Sequence, residues 1–450
     1  MDREKGMAIK LSAIGMLLAL LPTLPRSAWA QTGDVGFHGA AWLQMGRVEN
    51  TFATPGAQNY YDRNWLGNSG GLVSASTQID ENWEGSFGLG TVMVHLARGS
   101  KEIANIWYPF WIPFVSDAQL TYKTSSFAEN GGMQITLGYF PYNYNPDAKN
   151  LGQYLLRGYV YPGTLISGND FQGAPVSAFG KVFGALGRLQ FGGFRNDIIV
   201  NSETDDKPMF DVSVADVVTW RLHPSFEIGA GVNFYRVLPA VSKVTSPGKD
   251  CSQGDMGPYA RQGQENPCFI ILKDSAGTVL DTITGSLAGT KMMARFRLDP
   301  KAWFSSSGPF GKDDWVLYGE AALLGWKNYP IYYEDRFRRI PAMVGLNLPA
   351  FELFNLAVEA EYYASKNSSD NLGPQNGSWL PAIDATVDNA RDDWKFSVNA
   401  SRVLFGHMVA LGQVANDHLR LGGFHNAATG VEAMRTPKDW YWAGKLAYFF

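Results

Sequence analysis

Charge is scarce in this sequence. Asp, Glu, Lys and Arg make up 18% of its 450 residues, against about 25% in ordinary soluble domains. Long apolar runs are scarcer still. Beyond the first 30 residues nothing approaches the roughly 20 apolar residues of a helical membrane span, so any crossing of a bilayer falls to strands. Only two cysteines occur, Cys251 and Cys268, in one Gly/Pro/Gln-rich stretch. None of the six histidines (His38, His95, His223, His407, His418 and His425) lies between them. A metal site would therefore lack ligands, and no metal or cofactor is expected. In an oxidising, exported setting the pair is expected to form one disulfide that closes a surface loop. The histidines are scattered, with no His-Glu-x-x-His pair, so the chain is read as not an enzyme. Internal repeats, low-complexity tracts, linkers and an N-terminal plug are all missing.

What is present begins with a leader. Arg3, Lys5 and Lys10 form a basic start, Leu11 to Leu24 an apolar core, and Ala28-Trp29-Ala30 a small-residue cleavage site; together they read as a secretory signal peptide over 1–30. The mature chain, 31–450, begins near Gln31. Removing the leader takes away four cations and two anions, which moves the formal net charge from −4 to −6. That mild acidity argues against nucleic acid as a partner. The 49 glycines and 61 aromatics (27 Phe, 20 Tyr, 14 Trp) suit closely packed strands and aromatic girdles. A secreted β-sandwich or β-helix would account for that composition equally well.

Alternation recurs along the mature chain. Met133, Ile135, Leu137 and Tyr139 fall opposite Gln134, Thr136 and Gly138. Phe354, Leu356, Val358, Ala360 and Tyr362 fall opposite Asn355, Ala357, Glu359, Glu361 and Tyr363. Successive side chains of a strand point to opposite faces, so each segment has one apolar face and one mixed or polar face. Sixteen strands are expected, near 35–48, 71–80, 83–96, 114–124, 132–140, 175–183, 186–195, 210–221, 226–237, 289–299, 315–327, 338–348, 354–364, 393–404, 407–416 and 439–450. Connections after even-numbered strands are mostly short, such as Asp80-Glu81-Asn82, Gly184-Ala185 and Phe405-Gly406; several after odd-numbered strands are long. Short periplasmic turns alternating with long extracellular loops are the rhythm of a transmembrane barrel. The expected fold is all-β: one transmembrane antiparallel β-barrel of about sixteen strands.

The C-terminus adds a specific signal. Trp440, Trp442, Gly444, Leu446, Tyr448 and the terminal Phe450 share one face of the last strand. This pattern, with Trp442, Leu446, Tyr448 and Phe450 as its carriers, resembles the C-terminal signal of bacterial outer-membrane barrels. The resemblance implies the outer membrane of a Gram-negative bacterium, with membrane lipids and the barrel-assembly machinery as partners.

The connection 141–174 stands apart because it is less polar than an ordinary loop, and Leu151, Leu155 and Leu156 are spaced like a short helical turn. Its run Tyr142-Asn-Tyr-Asn-Pro-Asp-Ala-Lys-Asn-Leu-Gly has the look of a lineage signature, although the sequence offers no physical reason for it. In position and length the connection is similar to the loop of trimeric general porins that folds back into the bore, although that loop's short signature is missing. The resemblance implies that Asp147, Lys149, Asn150, Arg157 and Asp170 line a constriction, and it admits a homotrimer. The other reading is an outer cap ordered by its tyrosines. On the mixed faces, Lys291, Arg295 and Arg297 are expected near Glu320, Glu359 and Glu361, with Arg188 and Lys395 adding to the basic side. Opposed charges of this kind select solutes by sign; ion pairs that merely hold the wall in shape are the alternative. The expected function is a porin-like channel for passive or weakly selective diffusion of small hydrophilic solutes. The alternative is a non-conducting barrel that anchors an adhesin or envelope assembly.

Overall fold

The computed structural model describes residues 35–50, 65–96, 110–124, 131–156, 180–202, 210–238, 269–273, 279–284, 289–303, 310–311, 313–326, 336–349, 355–363, 394–418, 434 and 436–450. Its strands, in chain order, are β1 (Val35–Asn50), β2 (Trp65–Gln78), β3 (Trp83–Leu96), β4 (Phe110–Thr124), β5 (Gly131–Tyr142), β6 (Gly180–Phe191), β7 (Phe194–Ser202), β8 (Val212–His223), β9 (Phe226–Leu238), β10 (Phe269–Lys273), β11 (Val279–Thr284), β12 (Gly289–Leu298), β13 (Leu317–Leu323), β14 (Ala342–Leu348), β15 (Asn355–Tyr362), β16 (Trp394–Leu404), β17 (Met408–Ala415) and β18 (Trp440–Phe449). All but β10 and β11 form one closed antiparallel barrel, in which each strand pairs with its sequence neighbours and β9 pairs with β12. β10 and β11 make a separate hairpin within the 238–288 connection. The barrel therefore has sixteen strands.

Closure occurs between the first and last strands, whose register runs from Ala40↔Phe449 to Asn50↔Trp440. Phe450 completes it: the Gly39 amide donates to its carbonyl at 2.8 Å, and its own amide donates to the Gly39 carbonyl at 3.1 Å. A closed ring leaves no strand edge unpaired. The expected alternation decides which side chains face out. On β12, Met292 is 41% exposed and points outward, while Met293 is 4% exposed and points inward. Likewise Val358 and Tyr362 face out from β15, and Ala357, Glu359 and Glu361 face in.

Several strand ends differ from the sequence expectation, β2 for instance starting at Trp65 rather than 71, and one turn is displaced outright. The segments expected at 175–183 and 186–195, with a turn at Gly184-Ala185, are β6 and β7, joined instead through Gly192 and Gly193. Gly192 has φ +54°, a left-handed conformation that a side chain disfavours, so this glycine pair makes the tighter turn. The reason lies on the inner faces: Val182, Leu186 and Ile199 are buried there, while Phe183, Ile198 and Val200 are exposed outside. With apolar side chains on both faces, the two-residue period is blurred.

The inner face is also less uniformly polar than the alternation implied. Val182, Leu186, Ile199, Ala215, Val217, Met293, Tyr318, Ala322 and Met343 form one buried cluster with Phe140, Tyr142, Tyr144, Leu151, Tyr154, Leu155 and Leu156. The wall members come from β6, β7, β8, β12, β13 and β14, with further members flanking β13 and following β15. Among the described residues no member comes from β1 to β4 or from β16 to β18.

Candidate functional site

The filling of that half of the bore starts at β5. Phe140 and Tyr142 face inward, and the chain then continues through residues 143–156 inside the barrel, where Tyr144, Ala148, Leu151, Tyr154 and Leu155 are all buried. Tyr154–Leu156 is a single 3-10 turn, close to the helical turn expected from the leucine spacing. Consecutive left-handed residues, Gly152 at φ +86° and Gln153 at φ +60°, reverse the chain just before it.

Three inward carboxylates receive this crossing segment. Glu359 on β15 accepts the main-chain amides of Lys149 at 2.5 Å, Asn150 at 2.9 Å and Leu151 at 3.0 Å, together with the Tyr318 hydroxyl at 2.9 Å. Glu320 on β13 accepts the Tyr144 hydroxyl at 2.6 Å, the Asn145 side-chain amide at 2.9 Å, and the amides of Gln153 at 3.1 Å and Tyr154 at 2.9 Å. Glu361 accepts the Tyr154 hydroxyl at 2.8 Å and lies 2.7 Å from His418 Nε2. Farther on, Asn150 donates to Asp417, which also accepts the Tyr441 hydroxyl at 2.9 Å. Hydrogen bonds to ionised acceptors in a low-dielectric interior are the strong ones. Each of these buried acids is thus held by donors that the crossing segment supplies.

Geometry gives the arrangement its consequence. In the ring of sixteen, β15 lies eight strands from β5 in either direction. A segment that leaves β5 and is fastened at Glu359 therefore crosses the full diameter of the bore. It divides the bore into a β6–β14 side packed with apolar side chains and a second side along β16 to β18 and β1 to β4. The inner wall of that second side carries Asn68, Ser74, Ser86, Asp117, Ser397, Asn399, Gln413 and Lys445 among others. There Asp117 accepts hydrogen bonds from the Ser74, Ser86 and Ser116 hydroxyls at 2.6–3.1 Å.

The sequence placed most of the inward charges on the correct face but missed their partners. Arg295 and Glu320 are directly opposed in register, yet Arg295 pairs with Glu227 at 2.7 Å and reaches Thr219 at 3.0 Å. Arg297 lies 3.1 Å from Asp147 and 3.4 Å from Asp299. Arg188 pairs at 2.6 Å with Asp197, which also accepts the Tyr142 hydroxyl at 3.0 Å. Lys291 is buried, with its ammonium 5.7 Å from the Tyr235 ring centroid, and Lys395 donates to the Met434 carbonyl. Asp197, Glu227 and Asp417 were not singled out in the sequence. Burial raises the carboxyls of Asp147 and Asp417 above the ordinary range: Arg297 opposes the shift at Asp147, and hydrogen bonds from Asn150 and Tyr441 oppose it at Asp417, without cancelling it. Arg157, Asp170, Cys251, Cys268 and the leader lie outside the described residues.

No family model and no curated protein matches this chain. Among solved structures it is similar to a mutant of Rhodopseudomonas blastica porin, at 8% identity and a TM-score of 0.41, over 93% of this chain and 100% of the other. A triple mutant of the same porin gives 9% identity and a TM-score of 0.40 over the same shares. A further structure, described as "Asymmetric conductivity of engineered proteins", gives 8% and 0.41, again over the same shares. The chain itself is a closed sixteen-stranded antiparallel barrel.

Proposed function

We propose that this barrel is an outer-membrane channel of a Gram-negative bacterium, and that small hydrophilic solutes diffuse through the part of its bore beside the crossing segment. The observation that carries the reading is the diametric path of residues 143–156. It fills one side of the bore with apolar packing and leaves hydroxyl, amide and charged side chains along the other. A sixteen-stranded barrel is wide enough for a water-filled path, and its outward apolar faces suit lipid. On this reading 1–30 is a cleaved leader, the short connections are periplasmic, and the barrel-assembly machinery recognises the strand that ends in Phe450. Asp147, Lys149 and Asn150 border the narrowest level, and Arg157 and Asp170 belong to the same connection. Membrane lipids surround the barrel, which assembles as a homotrimer.

The linked ion pairs suggest a sign of selectivity. On the packed side, Arg188, Arg195, Arg221, Arg295, Arg297 and Lys301 are tied to Asp197, Glu227, Asp147 and Asp299, so this set carries two more cations than anions, and its field across the bore favours anions weakly. Purified mature protein in a planar bilayer should give discrete conductance steps with a mild anion preference. A barrel that stays silent at every voltage would remove the channel reading. It would favour the second reading, a plugged barrel that anchors an envelope assembly, which the dense packing of the crossing segment supports.

A further inference from the structure

We infer that Arg195 and Arg221, at the end of the bore marked by the β6–β7 turn, form a binding site for phosphate and phosphate monoesters; its part in passage rests on the channel reading above. The apolar packing of this wall stops at Leu186, Ile199 and Val217. Beyond them, toward the turns, lie two triads, each an acid between two arginines. Asp197 has Arg188 at 2.6 Å and Arg195 at 3.6 Å. Glu227 has Arg295 at 2.7 Å and Arg221 at 3.6 Å. The near arginine of each triad neutralises its acid. The far one, Arg195 or Arg221, therefore brings a charge that the wall leaves uncompensated.

Strand register brings these two together. Arg195 faces Thr219 in the β7–β8 ladder, and Arg221 lies two residues farther along the same face. Diagonal neighbours of this kind are about 7–8 Å apart, within reach of one another's long side chains. The adjoining turn offers no side chain to cover them. The Arg221 amide donates to the Gly193 carbonyl at 2.8 Å, and a Cβ added at Gly192 would meet nothing within 4 Å. The Arg195 side chain is 29% exposed and that of Arg221 65%.

Two guanidinium forks with uncompensated charge suit one anion that carries close to two charges and has oxygens directed at both forks. A phosphate monoester meets both conditions near neutral pH, with three acceptor oxygens. A carboxylate brings one charge and two oxygens, which a single fork occupies. The ligand has no tight ion pair to break. It exchanges two contacts at 3.6 Å for charge-assisted hydrogen bonds, while Asp197 keeps Arg188 and Glu227 keeps Arg295.

Inorganic phosphate at mildly alkaline pH is the probe. Added to conducting barrels in a planar bilayer, it should reduce the potassium chloride current saturably, while equal acetate does not. R195Q and R221Q should each raise the half-blocking concentration about tenfold. K123Q removes one cation from the same end of the bore, on β4, where Lys123 pairs with Glu84 at 2.6 Å, and should leave the block as it is. A conducting barrel indifferent to phosphate overturns the site while the channel reading stands. So does a block that R195Q and R221Q leave unchanged, or one that all three variants weaken equally. Should the barrel be silent, equilibrium dialysis of radioactive phosphate against the detergent-solubilised protein decides the matter. Binding lost in R195Q and R221Q but kept in K123Q supports the site, and no binding to the parent overturns it.

Discussion

Replacing Glu359 with alanine tests whether the crossing segment is held as described. The Glu359 side chain is fully buried, and its two oxygens accept three main-chain amides and one phenol. Removing one partner of a buried charged network costs about 3–5 kcal/mol, because the remaining groups stay buried without a counterpart. Water entering the gap offsets part of this, so loosening by about 3 kcal/mol is the working figure. The barrel does not bear that cost, since its main-chain ladders are untouched; residues 147–151 bear it. A change of that size is about a hundredfold in a local opening equilibrium. In E359A, hydrogen exchange at the amides of 149–151 should therefore accelerate about a hundredfold, with protection in β15 unchanged, and trypsin should cut after Lys149 in otherwise folded barrels. E361A should do less at these amides, because Glu361 accepts the Tyr154 hydroxyl and faces His418 rather than the main chain of 149–151. Amides of 149–151 that exchange in E359A as slowly as in the parent would refute the proposed fastening.

Other perturbations separate the remaining interactions. Arg188→Ala leaves the fully buried Asp197 with Tyr142 and a longer contact to Arg195 at 3.6 Å; it should cost about 3 kcal/mol, read as a lower temperature for loss of heat-modifiable migration in gels. Burial raises the Asp147 carboxyl, so the folded protein holds that proton more tightly than the unfolded chain does. Its contribution is then most favourable below the ordinary carboxylate range and declines as pH rises through the window up to the raised value. Asp147→Asn should remove that part of the pH dependence of thermal unfolding in detergent, and an unaltered profile would count against it. Neutralising Arg297 and Lys301 together removes the excess positive charge of the linked ion pairs, so the reversal potential in a salt gradient should shift toward cation preference. Deleting Phe450 removes two closing hydrogen bonds to Gly39 and should lower the yield of heat-modifiable barrel several-fold; a normal yield would argue that β18 closes without it.

The barrel was legible because its outward faces repeat every second residue and most of its inner faces are polar. Reading failed where that contrast disappears. Along 180–202 apolar side chains fall on both faces, Val182, Leu186 and Ile199 inside because the crossing segment packs on them, so the misplacement of β6 and β7 has a tertiary cause. The run from Tyr142 to Gly152 looked distinctive without a visible reason, and the structure supplies one. Tyr142 serves Asp197, Tyr144 and Asn145 serve Glu320, and Asp147 meets Arg297. The amides of 149–151 serve Glu359, Asn150 reaches Asp417, and Gly152 adopts a positive φ. Nothing in a linear pattern signals that a main-chain amide will meet a carboxylate about two hundred residues away.

The sequence alone determined that this chain rolls into a closed cylinder of sixteen strands, which residues of most strands point outward, and that a terminal Phe-bearing strand seals the ring. Those features depend on local alternation and turn chemistry, which a strand carries within itself. Only the tertiary structure decided that Glu320, Glu359 and Glu361 fasten an inner segment, that one side of the bore is packed, and that the Trp42 ring lies against Gly70 with the Lys445 ammonium over it. Each of those depends on distant parts of the chain meeting across a diameter, and the ring fixes that distance only once it has closed.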